Sequence, residues 1–361
     1  MKRIFWCLST MFHLSTTLHA ATAEKLIEAA THTIINTKKP DPTLNHNEDR
    51  LLLGDIGEDS VFAVFDGHGG EQVSDMLANG FMQQLEAILS GETASEAKIQ
   101  TALQQAFFWF HAKSEKYPKQ GSTAAVAYYM KKQRKIIVAH AGDSRILVFT
   151  PENQSLYETS DHTACSLVEK ARLDAAMGFP SGKFSSAIIF HYRGGWRFGA
   201  SLAMSRSIGD REVIHSVLSS STNHSTEERY EERLFQSYAE PTIAVVDIAD
   251  IAGPVFLLAA SDGLFEGIAK KYNIVLRPCP QPVDSDDEVE HPSAEEQDQA
   301  RLHVEHLTNN QIRSLVLTQY EQNPKMSEVS KALAEMAPSN ASNDWCGTRD
   351  DVSVILAKIS Q

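Results

Sequence analysis

Apolar residues along this chain fall into short dense runs divided by polar turns, with longer segments of helical spacing between them. Runs at 61–65, 122–130, 135–140, 146–149, 242–248, 255–260 and 352–359 combine β-branched and other apolar residues and predict strands. Two of these, 135–140 and 146–149, flank a tight turn built from Ala141, Gly142, Asp143 and Ser144. Helices are predicted at 70–89, 94–116, 167–177, 310–320 and 327–336. Strand pairs joined by short turns, with long helices between them, predict an α+β layered fold; a regular βαβ alternation is missing, which disfavours a doubly wound parallel sheet. Two segments read as insertions. Residues 216–233 are rich in Ser, Thr and Glu, and 277–299 carry Pro278, Pro280 and Pro282 followed by Asp284, Asp286, Asp287, Glu288 and Glu290. The density of charge and the scarcity of apolar residues in the second predict a mobile loop. It lacks the glycine and the spacing of a calcium-binding loop.

Composition narrows the class. The 361 residues suit one large domain or two small ones, and a hydrophobic share of 42% with a charged share of 22% excludes a wholly disordered chain. Acidic residues outnumber basic ones 47 to 33, for a net charge of −14. That balance argues against a nucleic-acid partner, whose binding rests on Lys and Arg. The four cysteines, Cys7, Cys165, Cys279 and Cys346, form no CxxC pair. None has the downstream arginine with which a cysteine-based phosphatase cradles phosphate; Arg172 lies one place too far from Cys165. At the N-terminus, Lys2 and Arg3 precede residues 4–18, and Ala20, Ala21 and Ala23 follow. This layout is that of a secretory signal over 1–23. The run is broken by Ser9, Thr10, His13, Ser15, Thr16 and Thr17, so an amphipathic N-terminal segment of a cytosolic protein is an equal reading. No later stretch has the length and apolarity of a membrane span.

The candidate chemistry lies at the ends of the predicted strands. Asp66, Gly67, His68, Gly69 and Gly70 follow the run 61–65 directly. A carboxylate at a strand end points into the cleft beyond the sheet, glycine lets the backbone approach a bound ion, and a histidine there can supply a proton. The pattern recurs: Asp262 and Gly263 follow 255–260, Asp350 and Asp351 precede 352–359, Asp143 sits in the hairpin turn, and Glu48 and Asp49 lie just before the leucines 51–53. Single acids at strand ends are common, whereas their recurrence at one strand after another points to a shared site. Oxygen ligands without paired Cys or His favour magnesium or manganese over zinc. Two such ions can acidify a water and clamp a phosphate.

These pieces resemble, in order, the motifs of the metal-dependent protein serine/threonine phosphatases, the PPM or type 2C family. The matching residues are Asn47-Glu48-Asp49, Asp66 to Gly70, Gly121-Ser122-Thr123-Ala124, Ala141 to Arg145, Asp161-His162, the stretch 202–210, Glu240-Pro241, 260–264 and 349–355. The resemblance covers roughly 36–359 and implies a four-layer αββα fold, a central sandwich of two antiparallel sheets flanked by helices. It implies one phosphatase domain over 24–361, with insertions near 213–236 and 273–305. It implies two Mn2+ or Mg2+ ions and a third, weaker one. Asp66 would bridge the two ions with the Gly67 carbonyl as a further ligand; Asp262 and Asp350 would hold one ion, Glu48 the other with Asp49 in support, and Asp143 would belong with Asp262 to the third position. His68 would be the general acid. The implied substrate is a phosphoserine or phosphothreonine protein, taken by a monomer. Ser122 and Thr123 would shape the sheet beneath the site.

Two positions depart from the family pattern. Leu44 stands where the family places a phosphate-gripping arginine, leaving Lys38, Lys39 or Arg50 as substitutes, and a lysine cannot make the bidentate grip. Asp351 stands where the family has asparagine, adding a carboxylate beside the metals. The stretch 164–199, with Arg172, Lys183, Arg193, Trp196 and Arg197, corresponds to the flap beside the family's site and offers contacts to substrate. Leu44 also supports the alternative function, a catalytically weak phosphatase-like binding module.

Overall fold

The computed structural model describes residues 27–34, 47–90, 94–192, 195–199, 201–221, 227–274, 293–337 and 350–360. The readings made for 1–23, Lys38, Lys39, Leu44, Arg193 and the acidic tract 284–290 lie outside them.

One antiparallel sheet has the strand order β1 (Ile27–Ile34), β14 (Val352–Ile359), β13 (Val255–Ala260), β7 (Arg145–Phe149), β8 (Ser155–Glu158). The other runs β11 (Ile208–Gly209), β4 (Gly121–Ser122), β3 (Asp59–His68), β5 (Ala124–Met130), β6 (Lys135–Ala141), β12 (Thr242–Asp247), and β2 (Asp49–Ile56) pairs with β3. The apolar run 61–65 is unbroken because β3 is covered on both faces. Phe62 and Val64 face the opposite sheet, where they meet Val148, Leu257 and Ala357. Val61, Ala63 and Phe65 face outward under two helices, α1 (Gln72–Leu89) and α2 (Glu96–Lys113). Phe81 of α1 stacks on Phe110 of α2 with ring centroids 5.7 Å apart.

The first sheet is covered in the same way. Phe256 and Leu258 of β13 pack under α7 (Asp262–Lys271), α8 (Ala294–Gln322) and α9 (Met326–Met336) through Leu264, Ile268, Ile312, Val316 and Leu333. The layers are therefore αββα, as the family resemblance implied. A separate apolar cluster joins α3 (Leu167–Met177), α4 (Ser185–Ile188), the hairpin of β9 (Ile189–Tyr192) and β10 (Gly195–Phe198), α5 (Arg211–Ser221) and α6 (Glu227–Ala239) around Leu173, Phe198, Val217, Leu234 and Tyr238.

Several elements differ from the sequence reading, among them four helices. The helix predicted at 310–320 is the C-terminal part of the 29-residue α8, whose polar first half opens on a capping box of Ser293 and Glu296. Residues 216–233, polar in sequence, include the end of α5 and the start of α6. These helices bury an apolar stripe, with Ile214, Val217 and Leu218 on α5 and Leu234 and Tyr238 on α6. The short α7 follows β13 with only Ser261 between them, too close for the helix to stand apart in sequence from the strand.

Beneath the β6–β7 turn, the rings of His140 and His162 stack at 4.3 Å with an interplanar angle of 10°. His162 Nδ1 accepts the Gly142 N–H at 3.2 Å, and its Nε2 donates to the Thr242 hydroxyl at 2.9 Å. Burial pushes the His140 imidazole down to about 4, and burial with His140 beside it pushes His162 well below the usual histidine range. Both histidines are neutral in the folded protein at neutral pH. The unfolded chain takes up protons first as pH falls below the ordinary value of 6.5, so the stability that these residues protect is present above 6.5 and lost on acidification. For His140 the loss should approach about 1 kcal/mol per pH unit between 6.5 and 4. Thermal unfolding compared at about pH 7 and about pH 5 should show a smaller acid loss in His140→Gln than in wild type. Equal losses in the two proteins would refute this account.

Candidate metal centre and active site

The acids predicted from strand ends lie at one end of the sandwich. Asp49 opens β2 opposite Asp66 on β3, in register. Asp262 begins α7 where β13 ends, Asp350 lies just before β14, and Asp143 sits in the β6–β7 turn.

Main-chain hydrogen bonds place several of them. The Glu48 carbonyl accepts the Gly67 N–H at 3.1 Å and the Ser74 hydroxyl at 2.6 Å, while the Glu48 N–H donates to Asp351 Oδ2 at 3.1 Å. Gly67 is required here, because a Cβ at that position would lie 2.6 Å from the Glu48 oxygen. The Thr123 hydroxyl accepts the Asp66 N–H at 3.1 Å and bonds Ser144 at 2.7 Å, linking β3 to the turn that carries Asp143. Ser261 links the two sheets: its hydroxyl donates to Asp49 Oδ2 at 2.8 Å and accepts the Ser353 N–H at 3.0 Å. The sheet-shaping part read for Thr123 matches these bonds, and Asp351 acts on the Glu48 main chain.

The electrostatics are those of crowded like charges. Burial and the charges of Asp49, Asp262, Asp350 and Asp143 hold the Asp66 carboxyl well above the carboxylate range. Burial, Asp350 and Asp143 do the same to Asp262. Burial pushes Asp49 up to about 6 and, with Asp161, pushes Asp143 up to about 7. Asp350 opens to solvent at the rim, yet the protein packed around it, together with Asp49 and Glu266, raises it to about 7. Glu266 on α7 acts on Asp143, Asp262 and Asp350 and was not singled out in the sequence.

This donor set fits a hard divalent cation. Among the described residues no group of three or more His, Cys, Asp and Glu side chains forms a closed metal-binding arrangement on its own. The fit rests instead on the oxygen-only chemistry, the mutual repulsion, and Asp262 Oδ1, which is buried without a hydrogen-bond partner. Magnesium and manganese accept such ligands and complete their shells with water.

His68 ends β3 with Nε2 at 2.9 and 2.8 Å from the two carboxylate oxygens of Asp210. Burial pushes its pKa down, but Asp210, with Asp143 and Glu48 behind it, outweighs burial and raises it above the ordinary value. Asp210 closes the family-like stretch 202–210, and nothing local marks it as a site residue, because its partner is 142 positions away.

Two expectations about arginines change. Arg50, a substitute for the phosphate-gripping residue, donates to Asp75 Oδ1 and to the carbonyls of Asn47 and Asp49, so it braces the segment bearing Glu48. Arg172, offered as a substrate contact, donates to Glu169 and to the Ser237 carbonyl. Glu169 also takes a bidentate grip from Arg206 at 2.8 and 2.5 Å. Burial pushes the Glu169 carboxyl up, but Arg206 and Arg172 hold it well below its usual range. Arg145 makes a comparable pair with Asp161, at 2.6 Å for both bonds, and its guanidinium lies over the Phe265 ring. The ring contact ties β7, which follows the Asp143 turn, to α7.

Comparison with known proteins bears on the family and the fold. The sequence profile of the family described as protein phosphatase 2C matches residues 41–274. A bovine (Bos taurus) protein named protein phosphatase 1L is 28% identical over 240 residues, covering 63% of this chain and 58% of its own length. An Arabidopsis thaliana protein named probable protein phosphatase 2C 11 is 30% identical over 213 residues, covering 59% of this chain and 48% of its own. The chain thus spans about half the length of these curated relatives. A solved structure titled as that of a C. elegans sex determining protein shares the fold, with a TM-score of 0.54 at 20% identity over 92% of this chain and 65% of that one.

The repulsion among the acids predicts opposite responses to one substitution. Asp262→Asn should raise the unfolding temperature of the metal-free protein by removing a buried like charge. It should also abolish most of the stabilisation that Mn2+ gives wild type, about 2.7 kcal/mol at a concentration near 100 Kd. Differential scanning fluorimetry with and without Mn2+ checks both, and a variant still stabilised like wild type would exclude Asp262 as a ligand.

Proposed function

The chain belongs to the protein phosphatase 2C family, and on that premise we propose that it hydrolyses phosphoserine and phosphothreonine esters of proteins with two bound Mn2+ or Mg2+ ions. The observation that carries this reading is the position of Asp66, whose carboxylate feels the charges of Asp49, Asp262, Asp350 and Asp143 together. When bound, the ions supply an acidified water as nucleophile and positive charge for the phosphoryl oxygens.

Asp66 would serve both ions, with the Gly67 carbonyl beside it. Asp262 and Asp350 would hold one ion; Glu48, through water and supported by Asp49, would serve the other; Asp143 would belong to a weaker third position with Asp262. Ser261 and Thr123 keep Asp49 and Asp66 from drifting apart under their mutual repulsion. His68 gives a proton to the seryl or threonyl oxygen as it leaves, and the Asp210 carboxylate beside it favours the protonated ring.

The engagement of Arg50 supports a weaker grip on phosphate, in line with Leu44 at the family's arginine position. This is the ground for a second reading, a phosphoprotein-binding module with little turnover. With Mn2+ and a generic phosphoester, wild type should exceed Asp66→Ala and Asp262→Ala by about 100-fold or more, since each variant removes a metal ligand. Wild type no faster than either variant would favour the binding module.

Leu44→Arg should lower KM several-fold with little change in kcat, because the bidentate grip acts on ground state and transition state alike. Steady-state kinetics on a phosphopeptide reads both constants, and an unchanged KM would remove Leu44 as the cause of weak binding.

A further inference from the structure

We propose that Asp210 is the positioning residue for His68, and that it fixes His68 Nδ1 as the nitrogen that gives the proton to the leaving oxygen. The inference rests on the phosphatase reading above and concerns how that site is set.

Three short pieces of sheet bring the pair together. His68, the last residue of β3, is paired with Gly121 of β4, and Gly121 is paired in turn with Gly209 of β11. The residue after Gly209 is Asp210, so its carboxylate reaches back over Gly121 to the imidazole. Gly121 leaves room for this approach: a Cβ there would lie 2.3 Å from Asp210 Oδ2 and 2.4 Å from His68 Nε2. No side chain larger than hydrogen fits between them.

Asp210 is held independently of His68. It is 1% exposed, and its N–H donates to the Gln120 carbonyl at 2.9 Å. Its Oδ2 accepts the Ser207 hydroxyl in a short bond. Its φ of +59° lies in the left-handed region, which a non-glycine residue adopts at a cost. Such backbone conformations persist where the surroundings over-determine them, often at functional sites. The fold thus holds one carboxylate in an uncommon backbone conformation, aimed at one ring nitrogen.

A carboxylate accepts and does not donate, so His68 Nε2 must carry a hydrogen in this pair. Among the described residues no hydrogen bond engages Nδ1, which is left as the second protonatable position. Hydrolysis joins a water oxygen to phosphorus and breaks the bond from phosphorus to the seryl oxygen. The electron pair of that bond leaves with the seryl oxygen, which takes the proton from Nδ1. The proton released by the water returns to Nδ1 through solvent, and the products are the free alcohol and hydrogen phosphate.

An acid of this kind matters in proportion to how poorly the oxygen leaves. The test compares a phosphoserine peptide, with an alkoxide leaving group, and 4-nitrophenyl phosphate, whose phenolate leaves without help. In Asp210→Asn, the ratio of kcat on the peptide to kcat on the aryl ester should fall about 10-fold or more, general acids being worth about 100-fold or more. The same ratio should fall in His68→Asn, and the double variant should be no worse than His68→Asn alone. Equal losses on both substrates, or losses that add in the double variant, would overturn the proposal and leave Asp210 a structural residue. A wild type that hydrolyses neither substrate would sink the phosphatase reading and this inference with it. One readout does not depend on activity. In wild-type protein, nitrogen NMR of His68, identified by the resonance lost in His68→Asn, should show the neutral ring as the Nε2–H tautomer. The Nδ1–H tautomer would exclude the pairing on which the inference depends.

Discussion

The structure depends on holding several carboxylates close together where water is scarce. Like charges at short range in a poorly solvated setting repel strongly, and burial alone already disfavours each of them. Asp66 stands at the centre of this crowding, with Asp49 opposite it in the sheet and Asp262, Asp350 and Asp143 around it. Left to itself the cluster would open. What prevents it is a set of neutral donors and main-chain bonds: Ser261 on Asp49, Thr123 on the Asp66 backbone, and Gly67 and Ser74 on the Glu48 carbonyl. None of these neutralises charge. They fix the carboxylates against their mutual repulsion.

The cationic side chains nearby serve a different purpose. Arg145 is committed to Asp161, Arg50 to Asp75 and two carbonyls, and Arg206 with Arg172 to Glu169. Each pairing braces a segment that carries or borders the acids. Had these arginines turned inward instead, they would have quenched the negative field of the acid cluster. His68 is the exception, a titratable base within reach of that field, and Asp210 gives it a fixed anionic partner.

Much of the fold was legible along the chain. The strands at 61–65, 255–260 and 352–359 stood out because both faces of each are covered, so apolar residues dominate them; only Ser353 and Lys358 of the last are polar. The first half of α8 did not stand out, since it is capped and charged and carries no apolar stripe of useful width. The acids were legible for a related reason: Asp66 and Asp262 each end an apolar run and precede a glycine, a contrast that a buried strand makes visible. Asp210 and Glu266 lacked that contrast. Arg50 and Arg172 showed only their charge, and charge says nothing about the partner it will find.

The sequence by itself determined the layered α+β class, the set of strand-end acids and the family to which their order belongs. Those features are local, written in runs of a few residues and in the residues that bound them. Tertiary structure alone decided that Ser261 joins Asp49 to β14, that the arginines turn away from the acids, and that Asp210 meets His68 across Gly121. These contacts link positions up to 212 residues apart. Sheet register sets them, and register is a property of the assembled strands that no single segment carries.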